Sequence, residues 1–142
     1  MSRERTVSDI AKPARPERAW LGGLLLLYFG ASLLHFVHNA EYLADYPNLP
    51  AWLGRADVYL AWLALAAIGA VGWALYRFGW RVAGLLLIGT YAVFGFDGLL
   101  HYSRAPIAAH TPAMNFTIWF EVAAAAVLLI GVMTAVATRR AS

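Results

Sequence analysis

Two of the chain's four histidines fall in the stretch His35-Phe36-Val37-His38-Asn39-Ala40-Glu41-Tyr42, at the end of an apolar run long enough to cross a bilayer. Ionisable groups are costly in or near hydrocarbon, so a segment that carries several needs a reason to keep them. At about 100° per residue, His35, His38, Asn39 and Tyr42 share one helical face, and Glu41 lies to the side next to His38. Two later stretches repeat the pattern. Asp97 and His101 are spaced i,i+4, as are Thr117 and Glu121, so each pair can point inward at one level.

These residue types support three kinds of chemistry. The first is a metal site. Imidazole suits zinc, copper or iron, and carboxylates add oxygen donors. The expected ligand set is His35, His38, Glu41, Asp97, His101 and Glu121. The i,i+3 spacing of His35 and His38 lets both reach one ion, and His101 arrives from another helix. One ion is expected rather than two, because the Glu-x-x-His pairs of di-iron bundles are missing. Haem is not expected, since four short helices leave little room beside the carboxylates.

The second reading is a metal-free pocket for a lipid-like or polar ligand. Glu121 and Asp97 are then the candidate catalytic groups, with a carboxyl donating a proton and a histidine accepting one. Nearby aromatics such as Phe36, Tyr59, Trp62, Phe94 and Trp119 could wall an apolar molecule entering from the outer leaflet. The third reading is structural: the polar groups pair between helices, and the chain is an accessory subunit of a larger membrane complex or a homo-oligomer. The metal reading is placed first, and enzyme, carrier and subunit all remain compatible with the cluster.

His35 in segment one and Phe96-Asp97-Gly98-Leu99-Leu100 in segment three resemble the four-helix sterol-isomerase and sigma-2 receptor family. That family also keeps histidine and carboxylates inside a membrane bundle, so the resemblance implies a pocket of the second kind. Its His-x-x-x-Glu spacing reads His35…Asn39 in this chain.

These groups have to be positioned by membrane helices. Of the 142 residues, 61% are hydrophobic and 13% charged, against about 25% charged in a typical soluble domain. Cysteine is absent, which excludes disulfides, thiolate metal sites and cysteine-linked haem. No basic run interleaved with aromatics suggests nucleic-acid binding. Residues 1–18 read as a disordered cytoplasmic tail, with Pro13 and Pro16 and few apolar residues. Residues 19–140 read as one all-α, up-down-up-down four-helix bundle in a lipid bilayer, with segments at about 19–42, 51–76, 82–102 and 112–138. Segment two is rich in alanine and glycine, which allows close helix approach.

Orientation follows from the basic residues. Arg3, Arg5, Lys12, Arg15, Arg18, Arg77, Arg81, Arg139 and Arg140 lie on one side, and only Arg55 and Arg104 on the other. The positive-inside rule places both termini in the cytoplasm of a bacterial-type membrane. Each segment then carries its ionisable residues towards the same, extracytoplasmic end. Glu121 is expected to be the deepest carboxylate and to be protonated, paired or bound to a cation.

Overall fold

Long uncharged stretches make helices here because hydrocarbon, or a packed interior, leaves the backbone no partner but itself. The computed structural model describes residues 15–138, and it is helical throughout its ordered elements. Helix α1 spans Arg15–Glu41, α2 Arg55–Arg77, α3 Arg81–Phe94, the short α4 His101–Arg104, and α5 Pro112–Thr138. Single 3₁₀ turns lie at Leu43–Asp45, Asp97–Leu100 and Ile107–Ala109. Four stretches are long and apolar enough to cross a membrane: Pro16–Glu41, Arg55–Arg77, Arg81–Arg104 and Pro112–Thr138.

Three boundaries differ from those expected. Helix α1 starts at Arg15, inside the stretch read as a tail, because Pro16 suits a first turn and Glu17 is tied down by tertiary partners. The rest of that tail, with Arg3, Arg5 and Lys12, lies outside the described residues, as do Arg139 and Arg140. Helix α2 starts at Arg55 rather than near Ala51, because the Gly54 N–H donates to Asp57 Oδ2 at 2.8 Å, an acidic cap on the first turn. The third segment is not one helix. Its α-helix stops at Phe94, a 3₁₀ turn carries Asp97 and Gly98, and α4 resumes at His101.

The helices form a ring in which α1 packs on α2 and α5, and α3 packs on α2 and α5. The tightest seam is α2 on α3. A Cβ at Gly72 would come within 2.9 Å of the Ile88 backbone nitrogen, and one at Gly84 within 2.5 Å of the Tyr76 nitrogen. The small residues of segment two therefore serve the close approach that the sequence suggested. The main core runs through Leu21, Leu25, Tyr28, Ile88, Tyr91 and Leu128, all buried.

Contacts at the two ends fix the helix directions. At one end Glu17 of α1 pairs with Arg81 of α3 at 2.5 Å and accepts a hydrogen bond from Tyr76 of α2 at 2.7 Å. Arg81 also donates to the carbonyl of Ala135, near the end of α5, at 2.8 Å. At the other end, the finish of α1 meets the start of α5 and the α4 region. Neighbouring helices in the ring thus run antiparallel.

Candidate functional site

The polar residues singled out in the sequence gather at the end where α1 finishes, and they separate there into a buried set and a peripheral set. The buried set is built on α1 and α5. His35 and Glu121 are 2% and 1% exposed, and His35 Nε2 lies 3.7 Å from Glu121 Oε2. That separation is longer than a hydrogen bond. Neither Glu121 oxygen has a hydrogen-bond partner among the described residues, although the Ser32 side chain lies close enough to act on the carboxyl. A buried carboxyl with no fixed partner is rare in a folded protein and calls for an explanation.

The other face of His35 is held. Its Nδ1 lies 3.3 Å from Thr117 Oγ1, and the Thr117 hydroxyl also donates to the Met114 carbonyl at 3.0 Å. Thr117 and Glu121 are one helical turn apart on α5, so a single face of α5 supplies both neighbours of the imidazole.

The broken third segment closes the site from the side. Gly98, in the 3₁₀ turn, lies so near that an added Cβ would sit 3.5 Å from Glu121 Oε2 and 3.9 Å from His35 Nε2. Asp97, half-buried in the same turn, is near enough to interact electrostatically with Glu121. The rings of His35 and His101 are 5.5 Å apart. His101 is itself anchored, because its Nε2 lies 3.3 Å from the Asn39 side-chain amide. Whichever way that amide is turned, this nitrogen is taken by a hydrogen bond.

His38 and Glu41 belong to the periphery. His38 Nδ1 is 2.9 Å from the Tyr46 hydroxyl, and its ring stacks on Tyr42 at 4.8 Å between centroids. Glu41 turns away altogether, pairing with Arg55 at 2.5 Å and accepting from Tyr59 at 2.6 Å. Its position at the last residue of α1 brings it beside the first turn of α2. Of the six expected ligands, then, His35, His101 and Glu121 face one region, Asp97 sits in the 3₁₀ turn beside it, His38 lies outside it and Glu41 is committed elsewhere. As the side chains stand, no three His, Asp or Glu residues among those described are grouped closely enough to hold a metal ion.

Three other residues matter more than their sequence context suggested. Tyr46 is buried in the connection after α1, and its ring lies 4.9 Å from that of His101. Burial pushes its hydroxyl up to about 12. Thr117 is buried beside His35, with its Oγ1 3.3 Å from Nδ1. His110, in the loop before α5, is only 5% exposed, and its Nδ1 lies 3.1 Å from the Pro106 carbonyl. A cleft of about 400 Å³ opens beside this group, lined by His38, Tyr42, Asp45, Thr111, Ala113 and Met114.

Comparison with known proteins gave no match to a family model, to a curated protein or to a solved structure.

Proposed function

We propose that this chain is a small four-helix membrane protein with a buried, metal-free acid–base site at its outer end, where Glu121 and His35 exchange a proton with each other and with a polar or lipid-like ligand. The observation that carries this reading is the pair itself. A carboxyl and an imidazole face each other at 3.7 Å, both almost fully buried, with no hydrogen bond closed on either carboxyl oxygen and only Ser32 close beside them. A structural pair would be expected to close to hydrogen-bond distance and to satisfy its remaining oxygen. Beside the pair lies the bare backbone of Gly98, close enough that an added Cβ would sit 3.5 Å from Glu121 Oε2.

Four stretches of membrane-spanning length and the asymmetry of the basic residues support the bilayer setting and an outward-facing site. The division of the six expected ligands weighs towards proton chemistry, because the anchored His101 and the diverted Glu41 have hydrogen-bond duties that compete with an ion.

Infrared difference spectroscopy of the purified, detergent-solubilised protein between acidic and alkaline buffer tests the reading. A carboxyl band that changes with pH, disappears in E121Q and moves in H35Q is the expected result. No such band would overturn the reading. About one zinc, copper or iron ion per chain by elemental analysis, lost in both variants, would return the assignment to a metal site.

A further inference from the structure

A neutral imidazole has two ring nitrogens and one ring proton, so its chemistry depends on which nitrogen carries it. In His35 the two nitrogens meet different groups. Nδ1 lies 3.3 Å from Thr117 Oγ1, and Nε2 faces Glu121 Oε2 at 3.7 Å. Thr117 has a second contact. Its hydroxyl donates to the Met114 carbonyl, earlier on α5, at 3.0 Å. His35 and Thr117 are both buried, where a polar contact left without its hydrogen is costly.

These two contacts decide the tautomer. A threonine hydroxyl has one proton to give and lone pairs with which to accept, whereas a carbonyl can only accept. The contact with Met114 therefore uses the Thr117 proton. Towards His35 the same oxygen is an acceptor, and that contact is a hydrogen bond only when Nδ1 carries the ring proton. With the ring proton on Nε2 instead, the Thr117 hydroxyl has to turn to Nδ1, and its contact with the Met114 carbonyl then sets two acceptors together. The first placement makes both contacts hydrogen bonds, and the second makes only one. The shorter of the two distances is also the one to the carbonyl.

We infer that Thr117 is a positioning residue that holds neutral His35 with its proton on Nδ1, so that the lone pair of Nε2 is the base presented to Glu121. The inference rests on the acid–base reading of that pair and gives it a direction: Glu121 holds the proton and His35 accepts it. In the transfer the Oε2–H bond breaks, its electron pair stays on the carboxylate, and the proton bonds to Nε2 as the two side chains close from 3.7 Å. His35 is then doubly protonated. Its Nδ1–H still points at Thr117 Oγ1, in a hydrogen bond now strengthened by the charge. The return step restores the starting form, and no co-reactant is consumed. Thr117 acts on both states without touching the transferred proton. Its place one turn before Glu121 on α5 also aims the ring, because Nδ1 is tethered to the helix that carries the acid.

Nitrogen NMR of the whole protein in detergent, with isotope-labelled histidine, reads the tautomer directly, because ring nitrogens with and without a proton resonate far apart. The His35 signals are those missing in H35Q. At about pH 9, well above the ordinary histidine value of about 6.5, the parent is expected to show Nδ1 protonated and Nε2 bare. T117V removes the hydroxyl with little change of shape, and should move the tautomer ratio towards Nε2–H by about fivefold or more, equivalent to about 1 kcal/mol. T117S keeps the hydroxyl and should keep the parent ratio. A parent with the proton on Nε2, or with both nitrogens protonated, would overturn the inference whatever the variants do. A ratio unchanged in T117V would overturn it too, since another group would then hold the proton. The infrared band of Glu121 separates this inference from the reading beneath it. Nδ1–H without a pH-dependent Glu121 band would remove the acid–base pair, and the role of Thr117 with it. The band together with the other tautomer would leave the pair standing without Thr117.

Discussion

Helical spacing located the buried pair but could not decide the fate of each neighbour. His35 and Glu121 were legible because each is an ionisable residue set deep in a long apolar run. His38 and Glu41 were not, because their partners come from tertiary structure: Tyr46 lies in a connection with no periodic signal, and Arg55 sits at the start of another helix. Thr117 was visible as the i,i+4 companion of Glu121, but its contact with His35 depends on how α1 packs on α5. Tyr46 also gives the site a pH signature. Its hydroxyl is raised from 10.0 to about 12, first by burial, and the group lies outside the four apolar spans. A raised value means that the folded state holds the proton more tightly than the unfolded chain. The contribution is therefore complete below pH 10, the unfolded value, and is lost as pH rises through about 12. A shift of this size corresponds to at most about 3 kcal/mol. Thermal melts in detergent should show stability falling over that window, and Y46F should lose less than the parent. Equal losses in both would show that other groups govern the alkaline limb.

At the scale of elements, the sequence read the four apolar spans and the small-residue stripe, and missed the break in the third. A continuous helix over 82–102 would have carried Asp97 and Gly98 on an ordinary helical path. The 3₁₀ turn at Asp97–Leu100 instead lays backbone against Glu121 and His35, and such turns recur where a helix is adapted to a local task. Composition gives little warning of it, because Gly95 and Gly98 also read as packing glycines. The α2–α3 seam is easier to test. At Gly84 an added methyl meets Tyr76 backbone at 2.5–2.7 Å, and backbone cannot step aside as a flexible side chain can. Overpacking of this kind costs about 1–3 kcal/mol. G84A should therefore lower the melting temperature by several degrees. G23A, whose new methyl meets nothing within 4 Å, should leave it unchanged or raise it, because alanine favours helix by about 1 kcal/mol over glycine. Similar melting temperatures for the two variants would mean that the seam is looser than its geometry indicates.

For the whole molecule, the two ends of the bundle divide the work. One end is a closed electrostatic knot, in which Arg81 joins Glu17 and the Ala135 carbonyl while Tyr76 braces Glu17. This knot is not legible in the sequence, where Glu17 falls in the stretch read as a tail and Arg81 reads as a topology signal, while the ionisable residues of the four segments point to the opposite end. Its paired charges suit an anchor, whereas the buried carboxyl at the other end, with no hydrogen bond closed on it, suits chemistry. The proposal requires that second end to face outward, and the chain makes this simple to check because it contains no cysteine. A108C introduces a thiol on the exposed connection at the site end, and F78C one at the turn beside the knot, where Phe78 is 82% exposed. In intact cells a membrane-impermeant maleimide should label A108C and spare F78C, with both labelled after permeabilisation. The opposite pattern would invert the bundle, so that the end carrying His35 and Glu121 would face the cytoplasm. Labelling of both in intact cells would contradict the four-span arrangement itself, because the two sites are separated by an odd number of spans only if Arg81–Arg104 crosses the bilayer once.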